Sequence, residues 1–484
     1  MHLPEIAIRA DGNATIGLGH IHRAIALSGY LKDFFHISFY SFGADNLVSE
    51  LIRSNGYVLH TLDKPDFESP ALFAELISKN ALVVLDGYNF KTAYQEKIKA
   101  NGNKVIAIDD LNEWENVADV VINHGFSGNK KHYKIAAETQ FYGGLKYALI
   151  KQQILNKTII PPVKSVDKIL VCIGGTDPAN HSTRIVKELL VNTTKEITLL
   201  TYPLNPEFEF LNQLVKDNST RLKLLYSLNT NEIIELISEM DIAILQPSNI
   251  ALEAAALGVY IILLQTADNQ KYILDTLINS QCAVAIKAEL ANQVNSITPE
   301  QVNNQTKLQL GLLDKKSPAR ILEIANTLFV DFRPVDQNDG KLIYDWNNDK
   351  VTRQNSYNQS AIKYDDHLKW FHGKIKDNTV CFLLFSFNTV PAGCVRIECR
   401  EKENIVGITI APEMRRKKLA GIMLKQSADY FFKTYFKTEI TAYIKKDNIP
   451  SLKSFENAGY VIQDLEIYNG EESYKLIKKA HANV

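Results

Sequence analysis

The segment that most constrains this chain is residues 6–23, IAIRADGNATIGLGHIHR, in which a glycine-rich loop joins an apolar run to a helical pattern. The apolar run predicts a buried strand, and the spacing after His20 predicts an amphipathic helix. Gly17 and Gly19 let backbone N–H groups approach a phosphate, and a helix N-terminus favours negative charge. The spacing differs from the G-x-G-x-x-G dinucleotide fingerprint. The segment therefore predicts a nucleotide-binding turn with one ionisable group, His20, at the point of reaction.

The chain has 484 residues, of which 45% are hydrophobic and 23% charged, and its formal net charge is −1. This length exceeds what one hydrophobic core supports, so we expect roughly three domains. The balanced charge argues against nucleic-acid and membrane partners, and no run approaches the ~20 apolar residues of a bilayer span. The five cysteines lack C-x-x-C spacing, and the N-terminus lacks a signal pattern. We therefore expect a reduced, cytoplasmic protein without a metal site.

Residues 1–155 alternate apolar runs with helical patterns, which predicts a domain with a parallel, doubly wound sheet. The apolar runs after the first strand are 36–42, 81–88, 104–111 and 119–125. Ligands bind at the carboxyl ends of the strands in such sheets, where this sequence places several polar residues. These residues are Arg9, Asp11, Asp86, Asp109, Asp110, Asn123 and His124. The alternative for each of them is a cap on the following helix.

A second domain is predicted for residues 156–328. The stretch after 142–151, which contains Pro161 and Pro162, is predicted to be the hinge, and a second alternating series follows from residue 168. Its segment CIGGTD repeats the design of strand, loop and helix. In that loop we expect Gly174 and Gly175 to expose backbone amides, Thr176 to donate a hydrogen bond and Asp177 to cap the helix. The two halves together predict a cleft that binds a nucleotide-linked ligand.

A helix of small residues follows Ser248 and Asn249, and Glu253 is its one charged group. A carboxylate among alanines must find hydrogen-bond partners or lose several kcal/mol. A ribose diol reached from the cleft would be a suitable partner. The alternative is a surface glutamate on an amphipathic helix.

Four stretches of the first ~330 residues resemble, in order, the UDP-2,4-diacetamido-2,4,6-trideoxy-β-L-altropyranose hydrolases of pseudaminic acid biosynthesis, relatives of GT-B glycosyltransferases. The stretches are RADGNATIGLGHIHR, YGGLKYALIK, CIGGTD and PSNIALEAAALG. The resemblance implies two Rossmann-like domains in a GT-B arrangement, which release UDP by inverting attack of water at the anomeric carbon. It implies that His20 is the base, that Glu253 holds the uridine ribose and that Asn249 lies in the uridine-binding stretch. His22, on another face of the same helix, is the weaker candidate base.

The sequence changes character after residue 328, where a new strand and helix begin a third domain, 329–484. Three apolar runs predict antiparallel strands, and a basic turn leads into a long helix. Residues 413–453 contain ten Lys or Arg and four Asp or Glu, which predicts affinity for a polyanion. The alternative is a solvated basic face of the helix.

This order of elements resembles the GNAT acetyltransferases that act on amino sugars and N-terminal amines, with an α+β fold and acetyl-CoA as cosubstrate. The resemblance implies that the strand ending at Ile410 pairs with the pantetheine arm, and that Asn448 belongs to a later cofactor-contacting motif. It also implies that one turn binds the pyrophosphate through backbone N–H groups. The residues assigned to this turn are Arg415, Arg416, Lys417, Lys418, Ala420 and Gly421.

Two residues of the third domain depart from the pattern of the family. Lys418 stands where a glycine is usual, and we expect its φ to be negative. Phe455 stands where a tyrosine often protonates the leaving thiolate, so the acid is another group, such as Tyr460 or a water, or is absent.

The two resemblances together predict consecutive steps, acetylation of a UDP-amino-sugar and then hydrolysis of the product. One alternative is a glycosyltransferase that passes the sugar to an acceptor alcohol, since the fold alone does not separate the two. The other is a nucleotide-sugar-binding protein with a degenerate acetyltransferase domain.

Overall fold

The structure is a computed structural model that describes residues 3–13, 17–66, 69–159, 163–174 and 177–480. The chain divides into two compact units, unit 1 (Met1–Leu322) and unit 2 (Glu323–Val484). The division lies inside one helix, and unit 1 contains two separate parallel sheets.

The first sheet of unit 1 has seven parallel strands in the order β3-β2-β1-β4-β5-β6-β7. The strands are β1 (Glu5–Ala10), β2 (His36–Phe42), β3 (Val58–Leu62), β4 (Leu82–Asp86), β5 (Lys104–Ile108), β6 (Val120–Asn123) and β7 (Gln140–Gly143). The α-helices of this part are α1 (Gly19–Leu31), α2 (Asn46–Ser54), α3 (Ala71–Ala74), α4 (Thr92–Ala100) and α5 (Gln152–Asn156).

The second sheet of unit 1 has six parallel strands in the order β10-β9-β8-β11-β12-β13. The strands are β8 (Lys168–Cys172), β9 (Glu196–Leu200), β10 (Leu222–Leu225), β11 (Ile242–Leu245), β12 (Tyr260–Leu263) and β13 (Val284–Ala285). The α-helices are α6 (His181–Asn192), α7 (Phe208–Asp217), α8 (Thr230–Ser238), α9 (Asn249–Ala256), α10 (Lys271–Asn279), α11 (Leu290–Asn295), α12 (Pro299–Leu312) and α13 (Ser317–Phe329).

Both sheets reverse their strand order beside their first strand, so β1 lies next to β4 and β8 lies next to β11. The loops after these neighbouring strands separate to opposite faces, and this switch point is where such sheets bind ligands. The pairing of Ala10 with Asp86 brings the end of β4 beside the glycine-rich loop that follows β1. The fold thereby positions a carboxylate at the start of α1.

The predicted parallel α/β architecture of the first half is confirmed, and the four predicted strands after the first are β2, β4, β5 and β6. Two strands of this sheet were not predicted, β3 and β7. Both are edge strands, and β3 exposes three of its five residues. Without burial on both faces, these segments lack the continuous apolar run that marks a central strand.

Unit 2 contains a seven-stranded sheet in the order β14-β15-β16-β17-β18-β20-β19, in which β17 and β18 are parallel and the other neighbours antiparallel. The strands are β14 (Val330–Pro334), β15 (Val380–Phe387), β16 (Val390–Cys399), β17 (Asn404–Ile410), β18 (Glu439–Lys445), β19 (Val461–Tyr468) and β20 (Glu471–Lys479). The α-helices are α14 (Gly340–Asn348), α15 (Lys350–Asn355), α16 (Tyr364–Lys376), α17 (Leu419–Tyr435) and α18 (Ile449–Asn457). The predicted antiparallel pairing of β15, β16 and β17 is confirmed.

Every helix in the described part of the chain is too short or too polar to cross a bilayer. The same residues contain no group of three or more His, Cys, Asp or Glu side chains placed to hold a metal ion. All five cysteines are free thiols, and four of them are buried.

Replacing Gly393 of β16 by alanine should destabilise unit 2 by about 3 kcal/mol, because overpacking of this kind forces backbone to move. A Cβ at this position would collide with the carbonyl oxygen of Thr409 on β17 and would lie 2.9 Å from Cε of Met423. Urea unfolding followed by tryptophan fluorescence, to which unit 2 contributes Trp346 and Trp370, measures the change.

The matched control for this substitution is Gly407→Ala on the neighbouring strand, where a Cβ would meet nothing within 4 Å. This variant should change the free energy of unfolding by less than about 1 kcal/mol. Equal effects of the two substitutions would contradict the steric argument.

Candidate active sites

The start of α1 and the end of β4 bring His20, Arg23 and Asp86 together in unit 1. His20 Nδ1 lies 2.7 Å from Asp86 Oδ1, and Arg23 Nε donates to Asp86 Oδ2 at 2.8 Å. His20 and Arg23 are three residues apart, so they lie on one face of the helix. All three residues are buried.

The buried carboxylate of Asp86 is ionised. Burial favours its neutral form, but the charge and hydrogen bonds of Arg23, together with His20, lower the pKa of Asp86 to about 2. Because an ionised carboxylate only accepts hydrogen bonds, we assign the proton of the neutral imidazole to Nδ1 of His20. This assignment leaves Nε2 as a proton acceptor.

Arg23 extends this arrangement to a second carboxylate, since its Nη1 donates to both oxygens of Asp110 at 2.6 and 2.8 Å. We call His20, Asp86, Arg23 and Asp110 the His20 cluster. The edge of the Tyr88 ring packs against His20, with 4.8 Å between ring centroids, and Asn269 donates to the Tyr88 hydroxyl at 2.7 Å. Asn269 follows β12, so the second sheet of unit 1 also contributes a contact beside the His20 cluster.

His124, another polar residue predicted at a strand end, lies beside the His20 cluster in a dry environment. The residue is 1% exposed, and its Nε2 has no hydrogen-bond partner among the described residues. Burial, and next the positive charge of Arg23, lower the pKa of His124 to about 4. This imidazole is therefore neutral at physiological pH.

The remaining polar residues at the strand ends form closed structural networks. Arg9 is fully buried and binds the carboxylates of Asp11 and Asp66. Asp109 accepts hydrogen bonds from Leu111 N and from the hydroxyl of Tyr133. The contacts of these residues agree with a capping or structural role. Asp86 and Asp110 differ, because Asp86 binds His20 and Arg23 and Asp110 binds Arg23.

Glu253, predicted to hold a ribose, is buried in α9 and has Lys151 as its partner. Lys151 Nζ lies 3.6 Å from Glu253 Oε1, and each side chain is 10% exposed. Burial raises the pKa of Glu253, and Lys151 opposes that shift. Two predicted motifs, YGGLKYALIK and PSNIALEAAALG, therefore meet at this ion pair. His22 lies near it, and burial followed by the charge of Lys151 lowers the pKa of His22 to about 3.

The loop after β8 and the start of α9 contain the other residues predicted for the nucleotide. Gly174 has a φ of +77°, and a Cβ there would collide with the side-chain amide of Gln246. Gly175 and Thr176 lie outside the described residues. Asp177 accepts from Ser182 N at 2.6 Å, so it caps α6 as predicted.

Ser248 occupies the N-cap position of α9 but makes no side-chain capping bond, and Asn249 is the first helical residue. In the loop before α1, Gly17 has a φ of +86° and donates through its backbone N–H to Asn13 O at 2.8 Å, whereas Gly19 begins the helix. A left-handed backbone at Gly17 explains the need for glycine there.

Unit 2 contains a cleft of about 1430 Å³ between β17 and β18, which pair at Ile405 and Thr441 near their N-termini. Ile410 and Asn448 line this cleft, and so do three residues of the turn, Arg416, Lys418 and Ala420. Arg415 also lines it, with its guanidinium bound to Asp349 and donating to Thr352 Oγ1 at 3.0 Å. Lys417 and Gly421 are not among the lining residues.

The expectation of a negative φ at Lys418 is wrong, because this residue is left-handed with a φ of +59°. Arg416 has a φ of +66°. The backbone therefore has the conformation that a glycine would adopt freely, and the lysine costs roughly 1–2 kcal/mol of conformational energy in maintaining it.

Two aromatic residues near the cleft, Phe455 and Tyr460, decide which group could protonate the leaving thiolate. Phe455 lines the cleft, whereas Tyr460 is 2% exposed and packs edge-on against Phe455, with 5.0 Å between centroids. The Tyr460 hydroxyl has no partner among the described residues, and burial raises its pKa. Tyr460 is therefore not placed to protonate a leaving thiolate in the cleft. Asn448 accepts from Ser451 N at 3.3 Å, so its side chain caps α18.

Sequence reasoning did not single out Arg23 or Lys151, the cationic partners of Asp86 and of Glu253. The signal for Arg23 is its spacing of three residues from His20. Lys151 gives no local signal, because its partner is 102 residues away in sequence.

Lys418→Gly should stabilise unit 2 by about 1 kcal/mol, since glycine removes the left-handed strain of the side chain. Lys418→Ala is the control, because it removes the charge but keeps the Cβ, and it should give no such gain. Urea unfolding of the full chain measures both variants. A stabilisation by alanine equal to that by glycine would assign the effect to charge instead.

His124→Phe should weaken the pH dependence of the stability of unit 1. The unfolded imidazole gains a proton near its ordinary pKa of 6.5, but the folded one gains it only near 4, so stability falls as the pH is lowered between these values. When the pH is lowered from about 7.5 to about 4.5, the free energy of unfolding of the wild type should fall by about 2 kcal/mol more than that of the variant. The exposed His132 provides the control, His132→Asn, which should retain the wild-type loss.

Comparison with known proteins gives one family match and several relatives. The acetyltransferase (GNAT) domain family matches residues 330–461. An uncharacterised protein of Methanocaldococcus jannaschii is 24% identical over 483 residues, which cover 94% of this chain and 96% of that protein. The UDP-2,4-diacetamido-2,4,6-trideoxy-β-L-altropyranose hydrolase of Campylobacter jejuni is 27% identical over 258 residues, which cover 52% of this chain and 88% of that enzyme.

Among solved structures, spermidine N-acetyltransferase from Vibrio cholerae in complex with CoA and spermine aligns with a TM-score of 0.29 and 17% identity. The alignment covers 31% of this chain and 95% of that structure. The family match identifies the C-terminal part of the chain as a GNAT acetyltransferase domain, and about half of the chain is distantly similar to a UDP-sugar hydrolase.

Proposed function

We propose that the chain performs two consecutive steps on one nucleotide sugar. Unit 2 transfers the acetyl group of acetyl-CoA to the 4-amino group of UDP-4-amino-4,6-dideoxy-β-L-N-acetylaltrosamine. Unit 1 then hydrolyses the product, UDP-2,4-diacetamido-2,4,6-trideoxy-β-L-altropyranose, to the free sugar and UDP. We place this function in the cytoplasm, as the sequence predicts. The hydrolase similarity and the GNAT match support the two activities. The proposed order follows because the hydrolysed sugar already carries both acetamido groups.

The observation that carries the hydrolytic step is the contact between His20 and the ionised carboxylate of Asp86. With its proton on Nδ1, the imidazole takes a proton from water through Nε2, and the water oxygen attacks the anomeric carbon. The bond from that carbon to the phosphate oxygen breaks on the opposite side, which inverts the centre. Asp86 stabilises the imidazolium that forms.

The departing UDP is held by the second half of unit 1 in this proposal. This second half, residues 156–328, is a Rossmann-like domain, and it faces the first domain, residues 1–155, in a GT-B arrangement. Backbone N–H groups of the loop after β8 and of the first turn of α9 stabilise the diphosphate. Ser248 supports this role, because its hydroxyl makes no capping bond to the helix. Glu253 binds the ribose in exchange for part of its contact with Lys151.

In unit 2 the amine nitrogen attacks the thioester carbonyl, a C–N bond forms, the C–S bond breaks, and the nitrogen loses its proton. The pantetheine arm lies along β17 up to Ile410, and the backbone of the turn 415–421 holds the pyrophosphate. A water supplies the proton to the CoA thiolate, because Phe455 has no acidic proton and the Tyr460 hydroxyl is buried away from the cleft.

UDP release from UDP-2,4-diacetamido-2,4,6-trideoxy-β-L-altropyranose in plain buffer tests the hydrolytic step. His20→Ala should lower kcat by ~100-fold or more, since general-base catalysis contributes this much. Asp86→Asn should also lower kcat by at least ~10-fold, because an amide no longer fixes the tautomer. His132→Asn, at an exposed histidine of unit 1, is the control and should retain activity.

Three outcomes would contradict this assignment. UDP release that begins only when an acceptor alcohol is added would favour the glycosyltransferase alternative. Equal rates for His20→Ala and wild type would remove His20 from the chemical step. Tight binding of the UDP-sugar without any turnover would favour a binding protein.

A further inference from the structure

One face of β16 presents a charged stripe to the cleft of unit 2. Side chains alternate along a strand, and the lining residues of this region are Cys394, Arg396, Glu398 and Arg400. Arg396 pairs with Gly407 and Glu398 with Ile405, whereas Gly393 pairs with Ile410. At about 3.3 Å per residue, the charged part of the stripe lies roughly 10–23 Å from the Ile410 end of β17. It therefore occupies the end of the cleft away from the turn 415–421.

Glu398 organises the cations of this stripe. Arg396 Nε donates to Glu398 Oε1 at 2.6 Å, Lys374 Nζ donates to Oε2 at 3.0 Å, and Arg400 Nη2 lies 3.8 Å from Oε2. Burial alone would raise the pKa of Glu398, but Arg396 and Lys374 outweigh it and lower that pKa. Three cations around one ionised carboxylate leave a local charge of +2.

The guanidinium of Arg396 is pre-oriented, with donors still free. It stacks over the ring of Trp370, 4.8 Å from the ring centroid, and its Nε donates a hydrogen bond to Glu398. Its two terminal nitrogens have no hydrogen-bond acceptor within the part of the chain that the structure describes. A planar guanidinium held in this way offers a two-pronged donor to a phosphate.

The neighbouring strand β17 leaves space beside this guanidinium. Gly407 on β17, the register partner of Arg396, is exposed, and a Cβ there would meet nothing within 4 Å. The cleft of about 1430 Å³ exceeds the ~300–1,000 Å³ of a pocket for one small ligand. There is room for a second ligand beyond the acetyl-CoA arm.

The cleft as a whole is strongly cationic. Its lining carries seven basic side chains and two carboxylates. The basic residues are Arg353, Arg396, Arg400, Arg415, Arg416, Lys418 and Lys445, and the carboxylates are Asp366 and Glu398. The turn 415–421 accounts for three of these cations at the cofactor end. The remaining cations of the cleft would repel an acceptor with several positive charges and would attract an anionic acceptor.

We propose that Arg396 and Arg400, positioned by Glu398, form a subsite for the diphosphate of the acetyl acceptor. The acceptor is then an amine linked to a nucleoside diphosphate, and its phosphates bind at the end of the cleft opposite the cofactor turn. This inference rests on the proposed acetylation by unit 2 and assigns the residues that select its substrate. Glu398 is a positioning residue here, since three cations already neutralise its charge.

Steady-state acetylation by the full chain tests the subsite, with the UDP-4-amino-sugar as acceptor. Arg400→Gln and Arg396→Gln should each raise the KM for this acceptor about 10- to 100-fold, the value of lost hydrogen bonds to a charged group. The KM for acetyl-CoA should stay within about 2-fold. Arg396→Lys keeps the charge but loses the two-pronged donor of the guanidinium, so its KM for the acceptor should lie between those of wild type and Arg396→Gln.

Lys341→Gln is the matched control, because Lys341 is an exposed cation of unit 2 that pairs with Asp345 outside the cleft. This variant should leave both KM values unchanged. Arg400 is half exposed, so Arg400→Gln keeps the test valid if Arg396→Gln fails to fold.

Calorimetric titration of the full chain with UDP, at saturating CoA, gives a readout that does not require turnover. UDP should bind at two sites per chain, one in each unit, and Arg400→Gln should weaken one of them at least ~10-fold without changing the other. If the amino sugar is not acetylated but this change is seen, the subsite stands and the proposed substrate fails.

The proposal is overturned if Arg400→Gln and Arg396→Gln leave the acceptor KM and UDP binding unchanged. A rise in the KM for acetyl-CoA instead would assign the arginines to the cofactor phosphates and would equally overturn it. Efficient acetylation of spermidine, a polycation, would contradict the anionic acceptor.

Discussion

The carboxylate of Asp86 is the group on which the arrangement of unit 1 depends. It ends a central strand, is fully buried, and binds both a histidine and an arginine from the helix after the neighbouring strand. A buried carboxylate without such partners would cost several kcal/mol. The two partners therefore fix the start of α1 against the end of β4, and the same contacts determine which nitrogen of His20 remains available.

Much of this architecture was predictable, because central parallel strands are apolar on both faces and leave clear runs in the sequence. The position of Asp86 at a strand end was predictable too. Its partnership with Arg23 was not, since the alternative of a helix cap involves the same residue type in the same place. Lys151 shows the limit more sharply, because only the packing of two distant motifs reveals that it neutralises Glu253.

Unit 2 shows a different limit. The basic turn was predictable from its composition. The φ of Lys418 was predicted to be negative, whereas the residue is left-handed. The lysine retains the backbone geometry of a glycine at a cost in conformational energy, so the shape of the turn depends on its surroundings more than on its own residue preference. Similarly, the number of basic residues in 413–453 gave no sign of Arg396 on β16 or of Arg400 directly after that strand.

The ion pair between Lys151 and Glu253 has a consequence for the energetics of the nucleotide site. The carboxylate already has Lys151 as an internal partner. In the proposed function, a ribose that binds Glu253 therefore exchanges one partner for another and gains only the difference. The proposed hydrolysis releases UDP, and the modest affinity that results from this exchange favours fast departure of that product.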